Sequence, residues 1–142
     1  MTFGADQLTK LLIVDRLMPG ESAPLIPSVL HLTYIQNHGA AFGLLQGQQV
    51  LFVGLAVLVI AWLGRELIKP STSWAAAWGA ALVLGGAAGN LLDRVRLSYV
   101  VDFIDVRIWP VFNLGDSAIT IGVALLLWES LLSGARGKGQ GK

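Results

Sequence analysis

Asp102 stands where a carboxylate is hard to keep. In the stretch Val100–Ile108, alternation puts Val100, Asp102, Ile104, Val106 and Ile108 on one face and Val101, Phe103, Asp105 and Arg107 on the other. A carboxylate aimed at apolar surroundings is costly unless it is paired or protonated, and the nearby cation, Arg107, shares the face of Asp105. Asp116 follows Asn113 at the head of an apolar run; a capping arrangement, with Asn113 as N-cap and Asp116 in the first helical turn, is its structural alternative. Two aspartates brought together share a proton, because like charges a few Å apart resist double ionisation. The ionised member can then take a proton from water while the protonated member polarises a peptide carbonyl. Such a pair titrates as a unit, so its acid and base are not assigned individually. Other chemistries lack their residues. Cys is absent, no serine lies in a G-x-S-x-G elbow, and His31 and His38 lack HExxH spacing and read as surface or hydrogen-bonding histidines.

The elements that must position these residues are membrane helices. The chain has 142 residues, 54% hydrophobic and 13% charged, with net charge +1 and a mean hydropathy of +0.65. That length suits a single domain, 1–142. So few charges could not cover a soluble domain of this size. Disorder is excluded by the apolar content, and the net charge gives no electrostatic footprint for nucleic acid. No charged residue lies from Ser22 to Gly64 or from Pro70 to Leu92, and from Ser117 to Leu132 only Glu129 interrupts. Since about 20 helical residues cross the hydrocarbon core, spans are expected near 47–66, 73–92 and 114–133. Trp62, Trp74, Trp78, Trp109 and Trp128 fall towards their ends, as interfacial aromatics do. Met1–Met18 is too short and too charged to span, and reads as the outer end of a helix whose earlier turns lie upstream. Pro27–Asn37 and Val100–Ile108 alternate with period two and predict strands of a small sheet outside the lipid. The Gly-rich basic tail, from about Ser133 to Lys142, is expected to be disordered.

Charge placement carries a second message. The cations tie across the membrane, Arg65, Lys69, Arg136, Lys138 and Lys142 against Lys10, Arg16, Arg94, Arg96 and Arg107, so they do not orient the chain. The acids do not tie. Glu66 and Glu129 lie on one side and Asp6, Asp15, Glu21, Asp93, Asp102, Asp105 and Asp116 on the other. Within the second span, GGAAGN supplies a small-residue patch for close helix packing at Gly85, Gly86 and Gly89. Asn90 lies one turn before Arg94 and can share its face, either as a site residue or as a helix-packing hydrogen bond.

Five blocks in order, Asp6-Gln7-x-x-Lys10, Asn37-His38-Gly39-Ala40-Ala41-Phe42, Gly89-Asn90-Leu91-Leu92-Asp93-Arg94, Val101-Asp102-Phe103 and Phe112-Asn113-Leu114-Gly115-Asp116, resemble those of the bacterial lipoprotein signal peptidases of type II, intramembrane aspartyl proteases. The resemblance implies an all-α transmembrane bundle of four helices with a small extracytoplasmic β-cradle, most of the first helix preceding Asp6. It implies that Asp102 and Asp116 are catalytic and that Asn37, Asn90, Arg94 and Asn113 line the pocket, orienting substrate and dyad. Asp6, Lys10 and Asp93 would support them. The implied substrate is a diacylglyceryl-modified prolipoprotein, cut just before its lipidated cysteine. The implied inhibitor is globomycin; no metal or cofactor is implied. The chain would act, as a monomer among membrane lipid, in the bacterial inner membrane with its site at the outer face. Gly115 departs from the alanine usual before the last aspartate, a change expected to be tolerated. Two other classes compete: a small proton- or ion-coupled membrane protein using the same acids, which predicts acids near mid-span, and a non-catalytic scaffold built on Gly85 and Gly89, which leaves Asp102 unexplained.

Overall fold

Helix α1, Thr2–Arg16, is built inside out. Asp6, Lys10 and Ile13, at helical spacing, are buried, whereas Leu8 and Leu11 are 59% and 62% exposed. That pattern suits a helix with lipid on one side and a polar interior on the other. The computed structural model describes residues 1–39, 47–69 and 73–139, the last seven of them (133–139) by backbone alone. After α1 come strands β1, Ser22–Ile26, and β2, Leu30–Asn37; then helices α2, Gln49–Leu67, and α3, Trp74–Leu97; then strand β3, Val100–Asp105, and helix α4, Leu114–Gly139.

Three of the four helices, α2, α3 and α4 as far as Leu132, are long and apolar enough to cross a membrane. Their outward faces carry Val50, Leu58, Trp62, Trp74, Trp78 and Trp128, all well exposed. Helix α3 starts at Ser73, whose Oγ accepts the Ala76 N–H at 3.2 Å, and stops at Ser98 in the left-handed conformation (φ 66°). It therefore runs five residues beyond the expected boundary at Leu92, carrying Asp93 and Arg94 on its last turns. Glycines set the helix separation. A Cβ at Gly122 would lie 2.5 Å from the Gly79 carbonyl oxygen, and one at Gly86 would collide with the Gly115 carbonyl oxygen. Gly85 and Gly89 meet Thr2 and Asp6 of α1 in the same way, so the small-residue patch packs α3 against two helices. Helix α4 continues to Gly139, so the tail expected to be disordered is helical over much of its length; propagation costs little once a long helix is nucleated.

The sheet is antiparallel, in the order β1-β2-β3. Strand β1 is not legible in the sequence, because Pro24 and Pro27 argue against a strand. As an exposed edge strand it tolerates a residue that cannot donate a ladder hydrogen bond. Strand β2 begins at Leu30 rather than Pro27, after a turn with Ser28 at φ 62°. Strand β3 ends at Asp105 rather than Ile108, because Arg107 takes φ 66° and its N–H donates to Asp105 Oδ1 at 2.8 Å. Ile13, Tyr34, Val101 and Phe103 form the core beneath the sheet, and Leu63, Ala80 and Val83 form a second cluster between helices.

Candidate active site

Asp102 lies on the central part of β3, opposite Ile35 of β2, and Asp116 lies in the first turn of α4. Both line one cavity of about 280 Å³, together with Asn37, Asn90, Arg94 and Trp109. Each of the four carboxylate oxygens accepts one hydrogen bond among the described residues. Asn37 Nδ2 donates to Asp102 Oδ2 at 2.8 Å and Asn113 Nδ2 to Asp102 Oδ1 at 2.7 Å. Asn90 Nδ2 donates to Asp116 Oδ1 at 2.8 Å and the Asn113 N–H to Asp116 Oδ2 at 3.2 Å. Three asparagines from three elements thus turn their NH₂ groups onto the two acids.

Local structure explains how. Asn113 Oδ1 accepts the Asp116 N–H at 2.8 Å, which with the return bond from the Asn113 N–H makes a reciprocal box at the head of α4. The capping arrangement and the paired acids are therefore one structure. Asn37 closes the end of β2, its Oδ1 accepting the Gly39 N–H at 2.9 Å. Asn113 is fully buried, and both ends of its amide are used by Asn90, Asp102 and Asp116.

Burial first, and then the Asp116 carboxylate, push Asp102 up to about 7, while the donors Asn37 and Asn113 and the Lys10 charge hold it back. A carboxyl group in that range is present in both protonation states near neutral pH. Arg94 lines the same cavity, its guanidinium 4.9 Å above the Phe52 ring and Nη1 3.4 Å from the Asn90 carbonyl oxygen. Among the described residues it makes no ion pair with Asp93, whose oxygens receive Lys10, Gln7 and the Val101 N–H.

The buried support is tighter than the sequence suggests. Lys10 Nζ lies 2.9 Å from Asp6 Oδ2, 2.9 Å from Asp93 Oδ2 and 2.8 Å from Asn90 Oδ1. Gln7 went unassigned, yet its Nε2 reaches the Gly89 carbonyl at 3.2 Å and Asp93 Oδ1 at 3.1 Å. The i,i+4 spacing of Asp6 and Lys10 signals their pairing, but nothing in sequence signals the partner more than 80 positions away. His38 packs edge-on to Tyr99 and contacts the Ser98 carbonyl oxygen, and His31 contacts Ser22, both outside the cavity. Ala40, Ala41 and Phe42 of the second motif block lie outside the described residues. Among the described residues no group of three or more His, Asp or Glu side chains is placed to share a metal ion.

Comparison with known proteins agrees along nearly the whole chain. The sequence model of a family described as signal peptidase (SPase) II matches residues 1–132. A lipoprotein signal peptidase of Halothermothrix orenii is 50% identical over 127 residues, 87% of this chain and 88% of that protein. One from Moorella thermoacetica is 49% identical over 140 residues, 97% of this chain and 93% of that protein. A bacterial membrane enzyme solved in meso at 2.3 Å resolution superposes with a TM-score of 0.89 at 34% identity, covering 99% of this chain and 88% of that one. A second, at 1.9 Å resolution, gives 0.83 at 36% identity, over 92% and 87%.

Proposed function

The chain belongs to the signal peptidase II family, and from that premise we propose that Asp102 and Asp116 are the pair with which it removes the signal peptide from a diacylglyceryl-modified prolipoprotein. As an aspartic-type peptidase it hydrolyses the bond before the lipidated cysteine. One carboxylate takes a proton from water and the oxygen attacks the peptide carbonyl carbon. The protonated partner gives its proton to the carbonyl oxygen. The tetrahedral intermediate then collapses: the C–N bond breaks, the leaving amine takes a proton from one carboxyl group and a hydroxyl of the gem-diol returns one to the other, so the pair again holds a single proton. The products are a signal peptide with a new carboxyl terminus and a lipidated cysteine with a free amino group.

The observation that carries this reading is the hydrogen-bonding frame. Among the described residues every oxygen of the pair holds one chain donor, leaving a lone pair for proton or water, and both acids face one cavity. Asn37, Asn90 and Arg94 line that cavity and meet the substrate backbone, whereas Asn113, Asp6, Lys10 and Asp93 hold the frame. Membrane lipid and globomycin belong to the proposed ligands of this site. The chain is proposed to act as a monomer, since one chain supplies every member of the constellation. Its place is the bacterial inner membrane, as a multi-pass protein, with the site at the outer face. The ion-coupled alternative needs acids near mid-span, whereas Asp102 sits on strand β3 and Asp116 in the first turn of α4.

A gel-shift assay on diacylglyceryl-modified prolipoprotein tests the pair. Asp102→Asn and Asp116→Asn, each folded, are expected to lower cleavage at least about 100-fold. Substantial cleavage by either variant would remove that aspartate from the mechanism.

A further inference from the structure

Two backbone hydrogen bonds connect the buried charges of α1 and α3 to the acids of the cavity. Asp6 Oδ1 accepts the N–H of Gly115, the residue before Asp116, at 2.8 Å. Asp93 Oδ2 accepts the N–H of Val101, the residue before Asp102, at 3.2 Å. The same two carboxylates share the Lys10 ammonium. The chain segments entering each acid are thus tied to one cation.

A third connection runs through Asn90. An ammonium only donates, so Lys10 Nζ fixes Oδ1 as the end of the Asn90 amide that faces it. Nδ2 must then point at Asp116. Asn90 Oδ1 also accepts from Asn113 Nδ2, which turns that amide so that the same group reaches Asp102. Without the cation, Asn90 can flip and present an oxygen to Asp116, and the orientation of Asn113 loses its reference.

We propose that Lys10 is a positioning residue of the reaction: held between Asp6 and Asp93, it fixes the Asn90 and Asn113 amides and the separation of Asp102 and Asp116. It does not line the cavity and touches no substrate. The inference rests on Asp102 and Asp116 being the reacting pair. The charged groups facing that pair are Lys10 and Asp6 from α1 and Arg94 and Asp93 from α3, and the Lys10 charge favours ionised Asp102.

The test measures cleavage of diacylglyceryl-modified prolipoprotein by the full chain across pH. Lys10→Met is expected to lower kcat about 10- to 100-fold, leave KM nearly unchanged, and move the basic limb of the pH profile upward. Lys10→Met combined with Asp93→Asn removes two buried charges of opposite sign and keeps the net charge of the cluster, while Asp6 retains the Gly115 N–H and Gln7 Nε2 as donors; kcat is expected to fall similarly. The wild-type chain offers a readout independent of any variant: the Lys10 ¹⁵Nζ resonance should shift across the pH range of that basic limb. Wild-type kcat in either folded variant, a loss confined to KM, or a Lys10 resonance indifferent to the limb would overturn the proposal. Inactive Asp102→Asn and Asp116→Asn alongside a fully active Lys10→Met would reject this role alone. Activity in those Asn variants would reject the pair, and this role with it.

Discussion

Asn37 is the residue whose removal reads most directly on the pair. Its Nδ2 donates to Asp102 Oδ2 and favours the ionised form. The proposed mechanism requires one proton on the pair, and burial pushes Asp102 up to about 7, so cleavage should decline as pH rises through that value. Asn37→Ala takes away a donor to the charged form, which raises the Asp102 pKa further. The basic limb should therefore move to higher pH, by about one unit if a charge-assisted hydrogen bond is lost. A kcat profile against pH checks this, and an unmoved or lowered limb would contradict the assigned bond. The double use of Asn113 is the other lesson at this scale. A cap and a frame for the proposed pair use the same amide geometry, so the capping and chemical readings of Asn113 and Asp116 are compatible.

At the scale of elements, α3 holds the assembly together, meeting α1 through Gly85 and Gly89 and α4 through Gly79 and Gly86. The Gly86 contact lies against the Gly115 carbonyl, one residue before Asp116, so helix separation there and placement of the acid are the same variable. Gly86→Ala should cost about 1–3 kcal/mol through overpacking and reduce cleavage as well. Gly54 of α2 has nothing within 4 Å of an added Cβ, so Gly54→Ala should be neutral or gain up to about 1 kcal/mol of helix propensity. Thermal unfolding in detergent, with cleavage measured in parallel, separates the two; equal effects would mean that the close approach at Gly86 does not constrain the site. The composition GGAAGN announces a packing surface. It does not say that Gly85 and Gly89 serve one neighbour and Gly86 another, since a rotation of one residue, 100° around the helix, decides that.

Across the whole molecule, the acids and the sheet gather at one end of the bundle, and Glu66 and Glu129 line a separate cavity at the other. Basic residues alone do not orient it, since they tie. Absence of cysteine makes the proposed orientation easy to measure with single introduced thiols. Val29→Cys, in the exposed turn of the sheet, should react with a membrane-impermeant maleimide in intact cells after the outer membrane, if present, is permeabilised. Arg65→Cys, near the far end of α2, should react only after lysis. The reverse pattern would place the sheet and the paired acids in the cytoplasm.

The sequence alone determined the membrane class and three spans, because hydrocarbon thickness acts on local composition and needs no tertiary information. It also marked Asp102, through a period-two pattern that one acid breaks, and paired Asp6 with Lys10 by helical spacing. The resemblance of five short blocks supplied the family. What only the tertiary structure decided is how distant segments share hydrogen bonds: that Lys10 meets Asn90 and Asp93, that Asp6 holds Gly115, and that Asn113 is fully buried beside the acids. It also decided the edge strand β1, whose prolines deny it a strand's local signature, and the extension of α3 past Leu92. Composition and periodicity report which face of one element prefers lipid or interior; which donor meets which acceptor across helices depends on their separation and rotation, and those arise only when the glycine contacts close.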